Sequence, residues 1–166
     1  TDPRSADGTN WTNTQFSILN ENSTYGNIAS GLDGSGNVIF IATGQNNNGL
    51  GNTIATTTDG VTWTGRGMAG FNGAYGFASG IAFGKDGSGN NLWVVSSGNN
   101  IASSYDGIDW TQRGGTVTGY KTAWSNNVWI VTSGGANIYR STSGLSWTTI
   151  TTPVSVTNVA GWNGSY

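Results

Sequence analysis

An all-β fold made of repeated units is predicted for this 166-residue chain by three observations. A phrase of eight residues, Ser-Ala-Asp-Gly-Thr-Asn-Trp-Thr in its first copy, occurs in four related versions. The tryptophans of the four phrases lie 52, 47 and 37 residues apart: Trp11, Trp63, Trp110 and Trp147. Short apolar segments precede the last three phrases, and no segment keeps a helical period. Such repeats are typical of supersecondary units that bury their apolar faces by stacking on one another.

Each phrase predicts a tight turn between two strands. Glycine permits a positive φ, the preceding aspartate accepts hydrogen bonds from nearby backbone N–H groups, and tryptophan and threonine favour a half-buried strand. The fourth phrase has serine in place of this aspartate: Asp7, Asp59, Asp106 and Ser143. We expect these four residues to stabilise turns. We expect the phrase tryptophans to pack between units as core residues rather than to bind ligands.

A complete unit contains four strands in order. In the first complete unit, a strand with small residues at 28–31 and an apolar strand at 38–42 precede a strand at 52–56. The hairpin across the phrase supplies the fourth strand, and four consecutive antiparallel strands form a blade of a β-propeller. We therefore predict a single β-propeller domain or propeller segment over 1–166. Its blade units are predicted at roughly 25–72, 73–118 and 119–157.

The two ends of the chain predict parts of one further blade. Residues 1–24 supply an outer hairpin, and residues 158–166 supply an inner strand with no apolar strand after it. Either the ends pair to close a ring of about four blades, or the chain is a segment of a larger ring. The segment is the favoured interpretation, because an interrupted apolar strand leaves an unpaired sheet edge, which favours contacts with other subunits.

Composition argues against several classes of function. Charged residues make up 8% of the chain, and six basic residues with a net charge of −2 argue against nucleic-acid binding. No long uninterrupted apolar run predicts insertion into a membrane. Because cysteine and histidine are absent, carboxylates are the main groups left for catalysis, and the usual zinc ligands are missing. We therefore predict no catalytic residue, no enzyme activity and no cofactor.

Two sets of residues are candidates for binding. Matching loops carry oxygen atoms suited to Ca²⁺, but hairpin turns that use glycine explain these loops better: Asp33, Asn37, Asp86 and Asn90. Aromatic and amide side chains in the connections between units are suited to neutral glycans. The candidates for glycan binding are Tyr25, Phe71, Asn72, Tyr75 and Tyr120.

The phrase resembles the Asp-box of the bacterial neuraminidase repeat, Ser-x-Asp-x-Gly-x-x-Trp, although it is one residue shorter and Ser143 replaces the last aspartate. The whole unit resembles the β-propeller repeats of secreted bacterial, phage and giant-virus proteins. This resemblance implies an extracellular or virion-surface location and a non-enzymatic structural and binding module, with glycans or other protein subunits as partners. The alternatives are a lectin-like propeller that binds glycans and a fragment of a propeller glycoside hydrolase.

Overall fold

The computed structural model describes residues 2–4, 7–10, 12–14, 19, 26–45, 51–67, 71, 77–98, 100–113 and 119–161. These residues form fourteen strands and no helix, which confirms the all-β prediction. The first six strands are β1 (Asp2–Arg4), β2 (Thr12–Thr14), β3 (Asn27–Leu32), β4 (Val38–Thr43), β5 (Ile54–Thr57) and β6 (Thr64–Gly65). The next four are β7 (Gly80–Lys85), β8 (Asn91–Ser96), β9 (Ile101–Ser104) and β10 (Thr111–Gln112). The last four are β11 (Lys121–Ser125), β12 (Val128–Thr132), β13 (Asn137–Ser141) and β14 (Thr148–Thr151).

The strands form three four-stranded antiparallel sheets and one two-stranded ribbon. Strands β3 to β6 make the first sheet, β7 to β10 the second and β11 to β14 the third, each paired in chain order. The ribbon consists of β1 and β2. Each sheet is therefore a meander in which strands that follow one another along the chain pair with each other, as the order of apolar segments and phrases predicts.

The second strand of the second sheet, β8, is apolar because it faces neighbours on both sides. In β8, Trp93 and Val95 belong to the core cluster between the first and second sheets, with Ile39 and Ile41 of β4. The alternate residues Leu92 and Val94 belong to the cluster between the second and third sheets. Successive side chains of a strand point to opposite faces, so a strand covered on both faces has no polar alternation.

Two close contacts repeat at both junctions between sheets. The first is an aromatic ring against a glycine of the preceding sheet: a Cβ on Gly31 would lie 2.4 Å from Cγ of Phe83, and a Cβ on Gly84 would lie 2.3 Å from Cγ of Trp124. Real Cβ atoms do not approach other atoms so closely. Glycine is therefore required where one sheet meets the aromatic ring of the next.

The second repeated contact is a hydrogen bond between sheets. The Nε1–H of Trp93 donates to the backbone oxygen of Leu32 at 2.8 Å, and the Nε1–H of Trp129 donates to that of Lys85 at the same distance. Both indoles are fully buried, so an unpaired N–H would cost free energy. The same interface is thus made twice, once at each junction.

The predicted fourth unit, formed from the two chain ends, is described only in part. Residues 158–161 carry no strand, and a Cβ on Gly161 would lie 2.4 Å from the backbone oxygen of Trp124. This segment therefore runs beside β11. Residues 162–166 lie outside the described residues, and within the described part of the chain β1 and β2 pair only with each other, so the predicted pairing of the two ends is not seen there. In the described part of the chain, no helix has the length and apolar character needed to cross a membrane.

We expect Gly84→Ala to destabilise the protein and Gly87→Ala to be tolerated. The added methyl group at residue 84 would collide with the rigid ring of Trp124, whereas at residue 87 the nearest atom, Cβ of Ser143, would lie 3.7 Å away. Overpacking of this kind costs about 1–3 kcal/mol, and a tolerated Gly→Ala change shifts stability by less than about 1 kcal/mol. Urea denaturation of both variants measures the difference, and equal midpoints would contradict the requirement for glycine.

Candidate functional site

The phrase turns are organised by their aspartates. Oδ1 of Asp59 accepts hydrogen bonds from the backbone N–H groups of Val61 and Thr62, both at 2.7 Å, and from the Thr57 hydroxyl at 2.8 Å. Gly60 between them has a φ of 69°, which glycine adopts without the strain that a side chain would bring. The carboxylate therefore closes the turn by satisfying backbone donors that the strands leave unpaired.

The same arrangement occurs at the next phrase. Oδ1 of Asp106 accepts from the N–H groups of Ile108 and Asp109 at 2.8 and 2.9 Å, and from the Ser104 hydroxyl at 2.8 Å. In the first phrase, Oδ1 of Asp7 accepts from the two corresponding N–H groups at 2.9 and 2.8 Å. Three turns that are far apart in sequence thus share one hydrogen-bond pattern.

Serine makes a reduced version of this turn in the fourth phrase. Oγ of Ser143 accepts from the N–H of Leu145 at 3.2 Å, while Oγ of Ser141 accepts from the N–H of Gly144 at 2.7 Å. A hydroxyl is uncharged and shorter than a carboxylate, so it binds fewer of the turn donors and binds them less strongly. The backbone conformation is nevertheless kept.

Hydrogen bonds lower the pKa of several turn aspartates. The backbone N–H of Thr62 is the main cause at Asp59, and the backbone N–H of Asn37 is the main cause at Asp33. At Asp106 the largest influence is burial, which raises the pKa, but the N–H groups of the turn outweigh it and the pKa is lowered. These N–H donors bind the charged carboxylate more strongly than the neutral acid, and they therefore lower the pKa.

Three of the phrase tryptophans lie among the described residues and are half-buried, and two of these pack against the core clusters. Trp110 contacts the cluster between the first and second sheets, and Trp147 contacts the one between the second and third. Their Nε1 atoms are buried and have no hydrogen-bond partner among the described residues. Trp63 is half-buried as well, and the side chain of Trp11 lies outside the described part of the chain.

The loops proposed as weak calcium candidates are closed hairpin turns. Oδ1 of Asp33 accepts from the N–H groups of Ser35 and Asn37, both at 2.8 Å, and Oδ2 accepts from the Asn37 amide at 3.2 Å. Asp86 makes the same bonds within its own loop, including one from the Asn90 amide at 3.0 Å. No group of three His, Cys, Asp or Glu side chains suited to a metal ion occurs among the residues that the structure describes. The hairpin-turn interpretation accounts for both loops.

The structure describes two of the five candidates for glycan binding, Phe71 and Tyr120. Phe71 is 4% exposed and belongs to the core cluster between the first two sheets, so its ring has no face for a sugar. Tyr120 is half-buried beside Gly134. Tyr25, Asn72 and Tyr75 lie outside the described residues. Local sequence did not distinguish a connecting aromatic that faces solvent from one that folds into the core.

The first strands of the three sheets line a common cavity of about 600 Å³. Its walls come from β3, β7 and β11, here called the inner strands, and from Gly161. Phe83 and Trp124 are the aromatic rings in this wall, and Lys85 is its cation. Nε1 of Trp124 is buried without a partner among the described residues. The ring of Trp124 packs against Gly84 of the second sheet and against Trp129 of its own sheet, so it takes part in the contact between the second and third sheets.

A second, smaller cavity lies at the outer ends of the first two sheets. We call it the rim groove; it has a volume of about 280 Å³ and lies between the phrase turn of the first sheet and that of the second. Arg66, Asp59 and Asp33 supply its charged walls. The sequence pattern placed the two aspartates in turns and did not predict that they converge with Arg66. The usable signal was the arginine three residues after two phrase tryptophans, at 66 and 113.

No family model, curated protein or solved structure matches this chain. Its function therefore has to be inferred from the chemistry of its own residues.

We expect Asp106→Ala to lower the free energy of unfolding by about 1 kcal/mol or somewhat more, because two backbone N–H groups and a hydroxyl lose their acceptor. Asp109→Ala is the matched control: its side chain is exposed in the same turn, and we expect a change below about 0.5 kcal/mol. Chemical denaturation of both variants measures the difference. Equal losses would contradict the role of Asp106 in the turn.

Stability should be constant from about pH 5 to 8 and fall below about pH 4. The folded-state pKa of Asp33, Asp59, Asp86 and Asp106 lies below the ordinary value. Their contribution is therefore present above the unfolded-state pKa of about 3.9 and is lost as the pH falls through the folded-state values. The chain has no histidine to titrate near neutrality. Thermal melts across this range test the expectation, with Asp106→Asn predicted to give a shallower acid limb; a transition centred near pH 6 would contradict it.

Proposed function

We propose that this chain is a segment of a β-propeller whose blades are the three four-stranded sheets, and that it serves as a non-enzymatic structural and binding module. The observation that carries the proposal is an interface that occurs twice. In each copy an aromatic ring packs on a glycine of the preceding sheet, and an indole N–H donates to a backbone oxygen of that sheet. Repetition of one interface is how radial arrays of blades are built. Inner strands around one cavity fit the same architecture.

The state of the carboxylates supports a non-enzymatic role. A glycoside hydrolase needs two carboxyl groups at a suitable separation, and one of them must stay protonated to act as an acid. Five of the aspartates instead accept hydrogen bonds within their own turns: Asp7, Asp33, Asp59, Asp86 and Asp106. Four of these have a lowered pKa, which is the wrong direction for a general acid.

The proposed location is extracellular or on a virion surface. Its support is the resemblance of the repeat to secreted bacterial, phage and giant-virus propellers, together with the low content of charged residues. The proposed partners are glycans and other protein subunits. The first sheet favours a protein neighbour, since Ile28 and Val38 on one side of it are 57% and 58% exposed.

A second candidate function is glycan binding in the manner of a lectin. The rim groove favours it, because a guanidinium, carboxylates and threonine hydroxyls surround one open space there. The two functions are compatible, since a structural module can present a sugar site on its edge.

The architecture is tested by Trp129→Phe. This change removes the donor to the Lys85 oxygen and part of a fully buried ring, so we expect a loss of about 2–4 kcal/mol. Because the interface couples two blades, amide hydrogen exchange should accelerate in both the second and the third sheet. Val61→Ala, at a side chain that is 66% exposed, is the control and should change neither. Faster exchange confined to the third sheet would contradict the stacked-blade proposal.

The non-enzymatic role is tested by incubating the purified chain with nitrophenyl glycosides and sialosides. We expect release of nitrophenol at the rate of buffer alone. Turnover that persists through purification and disappears in Asp33→Asn or Asp109→Asn would instead favour the third alternative, a fragment of a propeller glycoside hydrolase.

A further inference from the structure

The rim groove combines donors, acceptors and an apolar wall in one small space. Ile39 is almost fully buried at its base, and Ile108 of the second sheet is 42% exposed at its side. Thr58 and Asp59, both exposed, and Arg66, which is half-buried, complete the polar side. The groove lies between two sheets whose stacking fixes the distance between its walls.

Arg66 is held in place while most of its donors stay available. Its Nε–H donates to Oγ1 of Thr56 at 2.9 Å, which fixes the plane of the guanidinium. Its two terminal amino groups make no hydrogen bond or ion pair with any residue that the structure describes. A fixed guanidinium with unused N–H groups at the edge of a cavity is preorganised to donate to a ligand.

The equivalent position in the next junction is closed by a tyrosine. Arg113 repeats the bond of Arg66, with its Nε–H donating to Oγ of Ser103 at 2.7 Å. Tyr105 has the same position in the phrase of the second sheet as Thr58 has in the phrase of the first sheet. Its hydroxyl donates to Oδ2 of Asp86 at 3.2 Å. The tyrosine ring therefore spans the space between the phrase turn and the preceding hairpin. Because the side chain of Thr58 is too short to reach Asp33 in this way, the rim groove stays open.

The charges of the groove select the class of ligand. Two carboxylates and one guanidinium line it, so an anion would face net repulsion, and a cationic group would leave the N–H groups of Arg66 without an acceptor. A neutral molecule with several hydroxyls can donate to the carboxylates and accept from the guanidinium at once. Its C–H groups can lie against the two isoleucines. Sugars in the ring form have this distribution of groups.

We propose that the rim groove binds one neutral sugar ring, with Arg66 donating to its hydroxyl oxygens and Asp33 and Asp59 accepting from its hydroxyls. This inference deepens the glycan-binding candidate by naming its site and ligand class. It depends on the contact between the first two sheets and on neither ring closure nor the absence of hydrolysis. Failure of sugar binding would therefore leave the stacked-blade proposal standing.

The test is a titration of the ¹⁵N-labelled chain with methyl glycosides of glucose, galactose, mannose and N-acetylglucosamine, and with methyl glucuronide as the charged comparison. We expect at least one neutral glycoside to give saturable shifts of the Arg66 Nε–H and of the amides of Thr58 and Ile108. The Nε–H of Arg113 is an internal control and should not move. Absence of saturable shifts for all neutral probes, or tighter binding of the glucuronide, would overturn the proposal.

Two pairs of variants separate the groove from general effects on folding. Thr58→Tyr introduces the side chain that the second junction already carries, so we expect it to close the groove and abolish binding without loss of thermal stability. Tyr105→Thr is its reverse control and should keep the original binding. Arg66→Gln should weaken binding about tenfold or more, as expected for the loss of a charge-assisted hydrogen bond, and Arg113→Gln should not. Unchanged affinity in Thr58→Tyr would overturn the assignment of the site.

Discussion

The close approach of each inner strand to an aromatic ring of the following sheet is the constraint on which this structure depends. Gly31 and Gly84 leave room for the rings of Phe83 and Trp124, and only then can the buried indoles of Trp93 and Trp129 reach the backbone oxygens of Leu32 and Lys85. Packing and hydrogen bonding therefore act together, because the buried donor is satisfied only at the separation that the glycine permits. The apolar clusters between sheets complete the same contact with non-directional burial.

The turns contribute in a different way, through local electrostatics at the outer ends of the sheets. The carboxylates of Asp59 and Asp106 neutralise clusters of backbone N–H groups, and the glycine after each one allows the chain to reverse. The turn of Ser143 shows that the backbone path does not require the charge. The phrase turn of the second sheet and a hairpin of the first sheet also touch: a Cβ on Gly34 would lie 3.1 Å from Cβ of Asp106. Turn geometry and sheet stacking thus support each other.

Differences between equivalent positions show where the repeats are free to diverge. Phe40 stands where the other sheets have Trp93 and Trp129, and it is 37% exposed, whereas both tryptophans are fully buried. Thr58 and Tyr105 differ at the rim without any change in the turns that carry them. Packing limits which side chains fit inside the interface, whereas a side chain at the rim need only be compatible with solvent. Specific binding is therefore most easily acquired at the rim.

The sequence by itself determined the all-β class, the four strands of each sheet and the chemistry of the turns, because short apolar segments and Asp-Gly turns are local properties. It did not distinguish Phe71, which lies in the core, from an aromatic residue exposed in a connection. The rim groove was also invisible in the sequence, since Asp33, Arg66 and Ile108 are distant along the chain and converge only when two sheets stack. Only the tertiary structure decided these points, because burial and the meeting of side chains depend on distances between sheets that no local pattern encodes.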